Sequence, residues 1–478
     1  MKKIFVFILP VVLIAAGCTK NIDRYNAATK QPTVVPAGPV FTYSTRTLSD
    51  MLTDCSNNNS LRHIVEHWSQ TIIQDATVYN FNATRMNDLW WNRMYIVLSN
   101  LHACDSILAM PTTISPVIIK NERAITDIMA VYVWNILVNS FGNVPYSQAL
   151  NYNNLFPKYD DAKTIQLDLE KRLQTDLAAL DPTSTGFAAS EDLIYSGKVS
   201  SWVAFGNTLL VKIAMTLADV DAANSKALVE AASPRAFQTS ATDAVWQYYA
   251  VPSNNPMYNA IVTSGRQDFI ACSTLIDTMK LYSDPRLPGF FTTNSAGQYQ
   301  GTRLGETNGV IFANESKPSA RLSLPNTPYV MMDDIDMEFY RAEAIERGFN
   351  VAGTAEQHYD SAIAMSIRYW GGTQAQALTY LAQPNVAYTT APGTWQQKIG
   401  LQKWIALYNR GMDCWVDLRR FDYPVMIPPL AAMSGFPNRL PYPSSTYNEQ
   451  ALNGANYTQA AAAIGGDKPE TKLYWDVH

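Results

Sequence analysis

Apolar residues recur at steps of three and four over several long stretches of the chain, so the spacing predicts a largely helical protein. Ile125, Ile128, Met129, Tyr132, Val133, Ile136 and Leu137 make one such stripe, and Gly142 follows as a stop. Asp160 and Asp161 are suited to cap the next helix, whose Leu169, Leu173, Leu177 and Leu180 lie on one face before Pro182 ends it. Trp202, Phe205, Leu209, Ile213 and Leu217 mark another helix, whose charged residue Lys212 need not enter the core. From Met337 to Trp370 the pattern is two helices joined by a turn at Gly348. Phe339, Ala342 and Ala344 face Tyr359, Ala362 and Ile363, and the small residues predict a close approach, as in one tetratricopeptide unit. No clean 34-residue repeat runs along the whole chain. Long segments rich in Pro, Gly, Asn and Tyr, chiefly 233–268, 283–330 and 421–458, separate the helical blocks and are expected to be functional or disordered.

The N-terminus has a different pattern. Met1-Lys2-Lys3 precedes an apolar run from Ile4 to Ala16, then Gly17-Cys18, the layout of a signal peptide. As a helix that run would span only ~20 Å, short of a hydrocarbon core of ~30 Å. Leu13-Ile14-Ala15-Ala16-Gly17-Cys18 resembles the bacterial lipobox, so Cys18 is expected to receive lipid and become the mature N-terminus. Acyl chains contribute ~0.8 kcal/mol per buried methylene and hold a protein at a bilayer without a spanning helix. Beyond Cys18 no stretch is continuously apolar for 18 residues. The expected organisation is a signal peptide over 1–17, a lipidated N-terminus and Pro-rich tether over 18–45, and one domain over 46–478.

Composition sharpens the picture in three ways. Hydrophobic residues at 47% and charged residues at 16% fit a chain with a large core. Removing Lys2 and Lys3 takes the formal charge from −5 to −7, which excludes the basic footprint of a nucleic-acid binder. Eleven Trp and 26 Tyr supply many flat amphipathic rings, suited to core packing and to stacking on sugar rings. Cys55, Cys104, Cys272 and Cys414 are scattered without C-x-x-C spacing, which leaves buried thiols and disulfides equally open.

The ligand site is expected on loop aromatics rather than on the helical core. Trp246, Tyr248, Tyr249 and Tyr258 cluster around Pro252, Asn254, Asn255 and Pro256, and Arg266 and Asp268 follow with groups able to fix a hydroxylated ligand. Tyr79 and Trp91 are expected to form a second wall, with the neighbouring Trp90 in the core.

Several blocks resemble the SusD/RagB family of nutrient-binding outer-membrane lipoproteins, in its SusD-like branch. They are Phe141-Gly142-Asn143-Val144-Pro145-Tyr146-Ser147-Gln148-Ala149-Leu150, Pro157 to Asp160, Asp284-Pro285-Arg286-Leu287 and Tyr340-Arg341-Ala342-Glu343-Ala344. Gln402 to Tyr408, Trp415 to Pro424, Asn438 to Pro443 and Gly465 to Asp476 continue the series in order. The resemblance implies a mostly α fold in which tetratricopeptide-like helix pairs form a scaffold and long irregular loops bind the ligand. It also implies a partner, a SusC-like TonB-dependent β-barrel in the outer membrane, to which the protein hands a captured oligosaccharide or other nutrient. After Cys18 the chain reads Thr19-Lys20-Asn21-Ile22-Asp23, a weak version of the acidic surface-export signal of such relatives.

Two constellations offer enzymatic chemistry instead. His63-Ile64-Val65-Glu66-His67 fits H-x-x-E-H, in which two histidines one helical turn apart bind zinc beside a glutamate base. No acidic third-ligand motif follows it, so a structural or solvated helix face is favoured and no metal or other cofactor is expected. Asp333, Asp334, Asp336 and Glu338 would supply paired carboxylates for glycoside hydrolysis or oxygen ligands for calcium, yet they immediately precede a helix, where acidic residues suit the positive end of the dipole. Arg419 and Arg420 are expected in salt bridges or barrel contact rather than on an anion. The leading reading is a nutrient-binding protein without catalysis, the second a secreted hydrolase, the third a surface scaffold.

Overall fold

A computed structural model of the chain describes residues 35–56, 59–251, 253–443 and 450–478. The signal peptide, Cys18 and Pro252 lie outside the described residues. The first helix, α1 (Ala37–Thr53), begins inside the segment read as tether. Pro39 falls in its first turn, where a missing N–H removes no intrahelical bond, so the Pro and Gly there punctuate nothing. Phe41 is fully buried and stacks on Phe187 at 4.4 Å, and Leu48 and Leu52 continue the buried stripe. Among the described residues the helical fold starts at Ala37.

The scaffold continues as α2 (Met86–Leu108), α3 (Pro116–Phe141), α4 (Ala162–Ala179), α5 (Val199–Thr216), α6 (Ala222–Ala232) and the short α7 (Ser273–Leu281). Each of α1 to α5 packs on the next helix in sequence with its apolar stripe turned inward. Helix α3 is long and apolar enough to cross a membrane by length and composition, but 94% of that stretch is buried inside the protein. Its end at Gly142 has φ 82°, a left-handed backbone that glycine adopts without strain. Asp161 caps α4 by accepting from the Thr164 N–H at 3.0 Å, as the sequence predicts.

The second half is a stack of short helices, α8 (Asp334–Glu346), α9 (Ala355–Tyr369), α10 (Gln374–Leu381), α11 (Trp395–Ala406) and α12 (Gly411–Phe421), with α13 (Gln450–Ala463) near the C-terminus. Thr354, Thr373 and Thr394 each open a Thr-x-x-Gln capping box at the start of α9, α10 and α11. Each box satisfies two otherwise unpaired N–H groups, and its threonine contributes on the order of 1 kcal/mol. Ala342 and Ala362 are both fully buried, and with Phe339, Tyr359 and Ile363 they join α8 to α9 in a second core. The strands are minor: β1 (Trp68–Gln70) pairs with β5 (Phe269–Ala271), β2 (Val144–Pro145) with β3 (Tyr159–Asp160), and β4 (Ala244–Trp246) with β6 (Tyr329–Met332), all antiparallel.

Charge ties the two halves together inside the core, where the sequence need not place Lys212. Lys212 of α5 is 4% exposed and pairs with Asp413 and, at 3.9 Å, with Asp336. Its helix is covered on every side, so the ammonium stays inside by meeting carboxylates there. Lys403 of α11 lies 2.9 Å from both Asp336 and Asp417, with its ammonium 3.3 Å from the Tyr340 ring centroid. Arg410 reaches Asp333, Asp336 and Asp413 at 2.6, 3.1 and 2.9 Å, and Arg420 pairs with Glu343 and Asp417. Burial alone would raise the Asp336 carboxyl, but Lys403, Arg410 and Lys212 hold it far below the usual range. The four remaining cysteines are all buried free thiols.

Candidate functional site

A cleft of about 340 Å³ opens where the end of α9, the loop after β4 and the turn before α12 converge. Tyr369, the last residue of α9, is 38% exposed, and Trp370 caps that helix beside it. Arg321 lies across both rings, its guanidinium carbon 4.5 Å from the Tyr369 centroid and 5.2 Å from that of Trp370. It also donates to the Tyr369 carbonyl, which fixes the plane of the fork. Gln247 and Asn326 stand exposed on the same cleft, and the Gln247 amide donates to the Asn326 carbonyl at 3.0 Å.

This wall is rigid because of what lies behind it. Trp370 packs edge-on against Phe290 at 4.8 Å and against Tyr408 at 5.3 Å, while Phe290 and Tyr408 stack at 4.0 Å. The Tyr408 hydroxyl accepts from the Trp68 indole at 2.8 Å and donates to the Phe290 carbonyl at 3.1 Å. Arg410 and Asp333 form the charged end of the cleft, already paired with each other. An aromatic face, a guanidinium plane and two amides suit a ring with hydroxyl groups on its edges.

The residues expected to bind ligand fall in different places. Trp246 is 2% exposed within β4, opposite Tyr329, and Tyr248 is 1% exposed with its hydroxyl donating to Asp50 at 2.9 Å. Both rings are buried, so they hold the loop that carries Gln247 rather than offering a face to solvent. Tyr249 is 57% exposed on that loop. Asn254 exchanges amide hydrogen bonds with Asn259, and Tyr258 is half-buried. Asp268 is buried and pairs with Arg266; its carboxylate accepts from the N–H groups of Thr71 and Ile72 at 3.0 and 2.8 Å, which pins the loop after β1. Tyr79 is 4% exposed, and Trp91 packs among Tyr95, Phe141, Tyr159 and Tyr442. Neither of the two lines the cleft at Tyr369. Arg321, Asn326, Tyr369 and Trp370 are the residues that sequence reasoning missed; the aromatic pair immediately before Gly371-Gly372, at a helix end, was the available signal.

The zinc pattern is not on one helix. The helical turn covers only Leu61–Ile64, and Glu66 has φ 54°, so the two histidines do not share a helical face. Both are buried, so of the structural and solvated roles expected the solvated one is excluded. The His67 ring is 3.1 Å from the Trp404 carbonyl, and Glu66 accepts from the Thr274 hydroxyl. Among the described residues no group of three or more His, Cys, Asp or Glu is placed to hold a metal ion. Burial lowers His63 to about 4 and His67 to about 3. A base with a depressed folded pKa stabilises the fold fully above its unfolded value near 6.5, and that stability is lost as pH falls toward the folded value. Unfolding free energy is accordingly expected to drop between pH 6.5 and 4 by on the order of 1 kcal/mol per pH unit for each histidine. Urea titrations of wild type and His67→Gln across that range check this, and an unchanged slope in the variant would contradict it.

The acidic cluster is also structural. Asp333 caps α8 by accepting from the Asp336 N–H at 2.9 Å, Asp336 and Asp333 meet Arg410, and Glu338 pairs with Arg341 and with His358 at 2.7 Å. Arg419 is buried with its guanidinium donating to the carbonyls of Trp415, Asn139 and Asn438, so neither it nor Arg420 is available for an anion or a barrel.

The described residues form a helical scaffold with an aromatic-lined cleft at Tyr369 and Trp370. Residues 29–443 match the SusD-like family model described as "Starch-binding associating with outer membrane", and the chain belongs to that family. Solved structures of the same fold include a chitin-binding protein, 24% identical over 92% of this chain and 100% of its own, with TM-score 0.78. A Bacteroidetes SusD-like protein is 19% identical over 93% and 100%, with TM-score 0.80. A chitin-binding SusD homologue from Flavobacterium johnsoniae is 24% identical over 92% and 98%, with TM-score 0.77. No curated protein sequence matches the chain significantly.

Proposed function

We propose that the protein is a lipid-anchored outer-membrane protein that captures an oligosaccharide at the cell exterior and delivers it to a SusC-like TonB-dependent barrel. The observation that carries the ligand class is the cleft at Tyr369, Arg321, Gln247 and Asn326, on a fold whose relatives include chitin-binding proteins. Tyr249, exposed two residues beyond Gln247, extends the contact surface. The cleft works by stacking and hydrogen bonding, and nothing in this role requires a bond to be broken. Calorimetric titration with chito-, malto- and xylo-oligosaccharides tests it: one series should bind, and binding of none, with hydrolysis of any, would favour the hydrolase reading.

The anchor is proposed at Cys18. Cys18→Ala is expected to release the protein from membranes into the soluble fraction when no barrel partner is present, because the one described helix long and apolar enough to span a bilayer, Pro116–Phe141, is buried inside the protein. Retention after a high-salt wash would contradict this.

A further inference from the structure

The cavity between α2, α3 and α4 has a volume of about 710 Å³ and lies apart from the glycan cleft, sharing none of its lining residues. Leu108, Ala109, Met110, Ile114, Pro116 and Ile119 make its apolar wall, and none of its lining residues is aromatic. It therefore has no stacking platform for a sugar. Opposite this wall the charges are sorted. Asp105 pairs with Arg123 at 2.7 Å, and Asp127 pairs with Arg172. Asp176 is left over: it lines the cavity at 9% exposure, and its Oδ2 has no hydrogen-bond donor.

We propose that this cavity is a second ligand site, which takes a small primary-ammonium compound with an aliphatic body. The ammonium sits on Asp176, and the aliphatic part covers Met110 and Ile114, which are 58% and 48% exposed without it. The carboxyl of Asp176 is raised well above the usual range by burial, then by the adjoining charge and hydrogen bond of Asp127, with Asp105 adding and Arg172 opposing. Arg123 and Lys120 also face the cavity, the first neutralised by Asp105. The Asp176 carboxyl thus holds a proton at neutral pH. An ammonium group donates to the carboxylate that this proton occupied, and the proton leaves to solvent. A neutral hydroxyl ligand would bind without releasing it.

Calorimetry on the full chain with leucinamide, in two buffers of different ionisation enthalpy at pH 7, tests the proposal. Binding with release of about one proton is expected, together with at least a tenfold loss of affinity for uncharged N-acetylleucinamide. Asp176→Asn should weaken leucinamide at least tenfold while leaving oligosaccharide binding unchanged, which separates this site from the glycan cleft. Ile114→Trp, at an exposed position, fills the cavity and should weaken leucinamide even if Asp176→Asn proves unstable. No leucinamide binding at millimolar concentration, equal affinity for the acetylated compound, or full affinity in a folded Asp176→Asn or Ile114→Trp would overturn the assignment.

Discussion

Lys403→Met is expected to lower the unfolding free energy by about 3–5 kcal/mol at pH 7, the cost of breaking a buried ion pair from one side. Lys403 is fully buried between Asp336 and Asp417 and over the Tyr340 ring, so methionine fills the space of the stem and leaves two carboxylates short of a cation. The pH dependence follows from the same charges. Asp336 has a depressed folded pKa, so its contribution is present above the unfolded value near 3.8 and is lost as pH falls through the folded one. Removing Lys403 weakens that depression and should shift acid unfolding to higher pH. Urea unfolding at pH 7 checks the first effect and an acid titration the second. Restoration of part of the stability by adding Asp417→Asn would assign the loss to unpaired charge rather than to lost packing.

Arg321→Ala combined with Tyr369→Ala is expected to weaken oligosaccharide binding about thirtyfold, from ~1 kcal/mol for the stacked ring and ~1 kcal/mol for the guanidinium. Both side chains are exposed at the cleft and remote from the ion network's centre, so the thermal midpoint should change little. Trp246→Ala supplies the contrast. Its ring is buried against β6, so the variant should lose stability first and affinity only through displacement of Gln247. Calorimetry and thermal unfolding on the two variants separate a contact role from a scaffold role.

The helices were largely legible because a stripe such as Ile125 to Leu137, or Leu169 to Leu180, reports a local period and a local cap. The start of α1 was not, because Pro39 and Gly38 read as breakers although a first turn tolerates them. The burial of Lys212 was not legible for a different reason. Its two partners, Asp336 and Asp413, lie far away in sequence, and no local pattern marks a cation that will be neutralised inside. The loop after β4 reaches the cleft at Gln247, but of the rings chosen around it Trp246 and Tyr248 are buried and only Tyr249 is exposed. Irregular sequence around Trp246 and Tyr248 signalled a loop without revealing that β4 would pair with β6 and that Asp50 would take the Tyr248 hydroxyl. The other half of the cleft comes from residues 321–329 and 369–370, which join it only through tertiary structure.

The most direct test of glycan capture is a crystal structure of the chain with the oligosaccharide that binds tightest in the calorimetric series. The account predicts a sugar ring over Tyr369 and Arg321, with hydroxyl groups within hydrogen-bond distance of Gln247 or Asn326. Sugar bound instead in the cleft between α1 and α2, against Tyr43, Arg46 and Arg93, with the Tyr369 cleft empty, would contradict it.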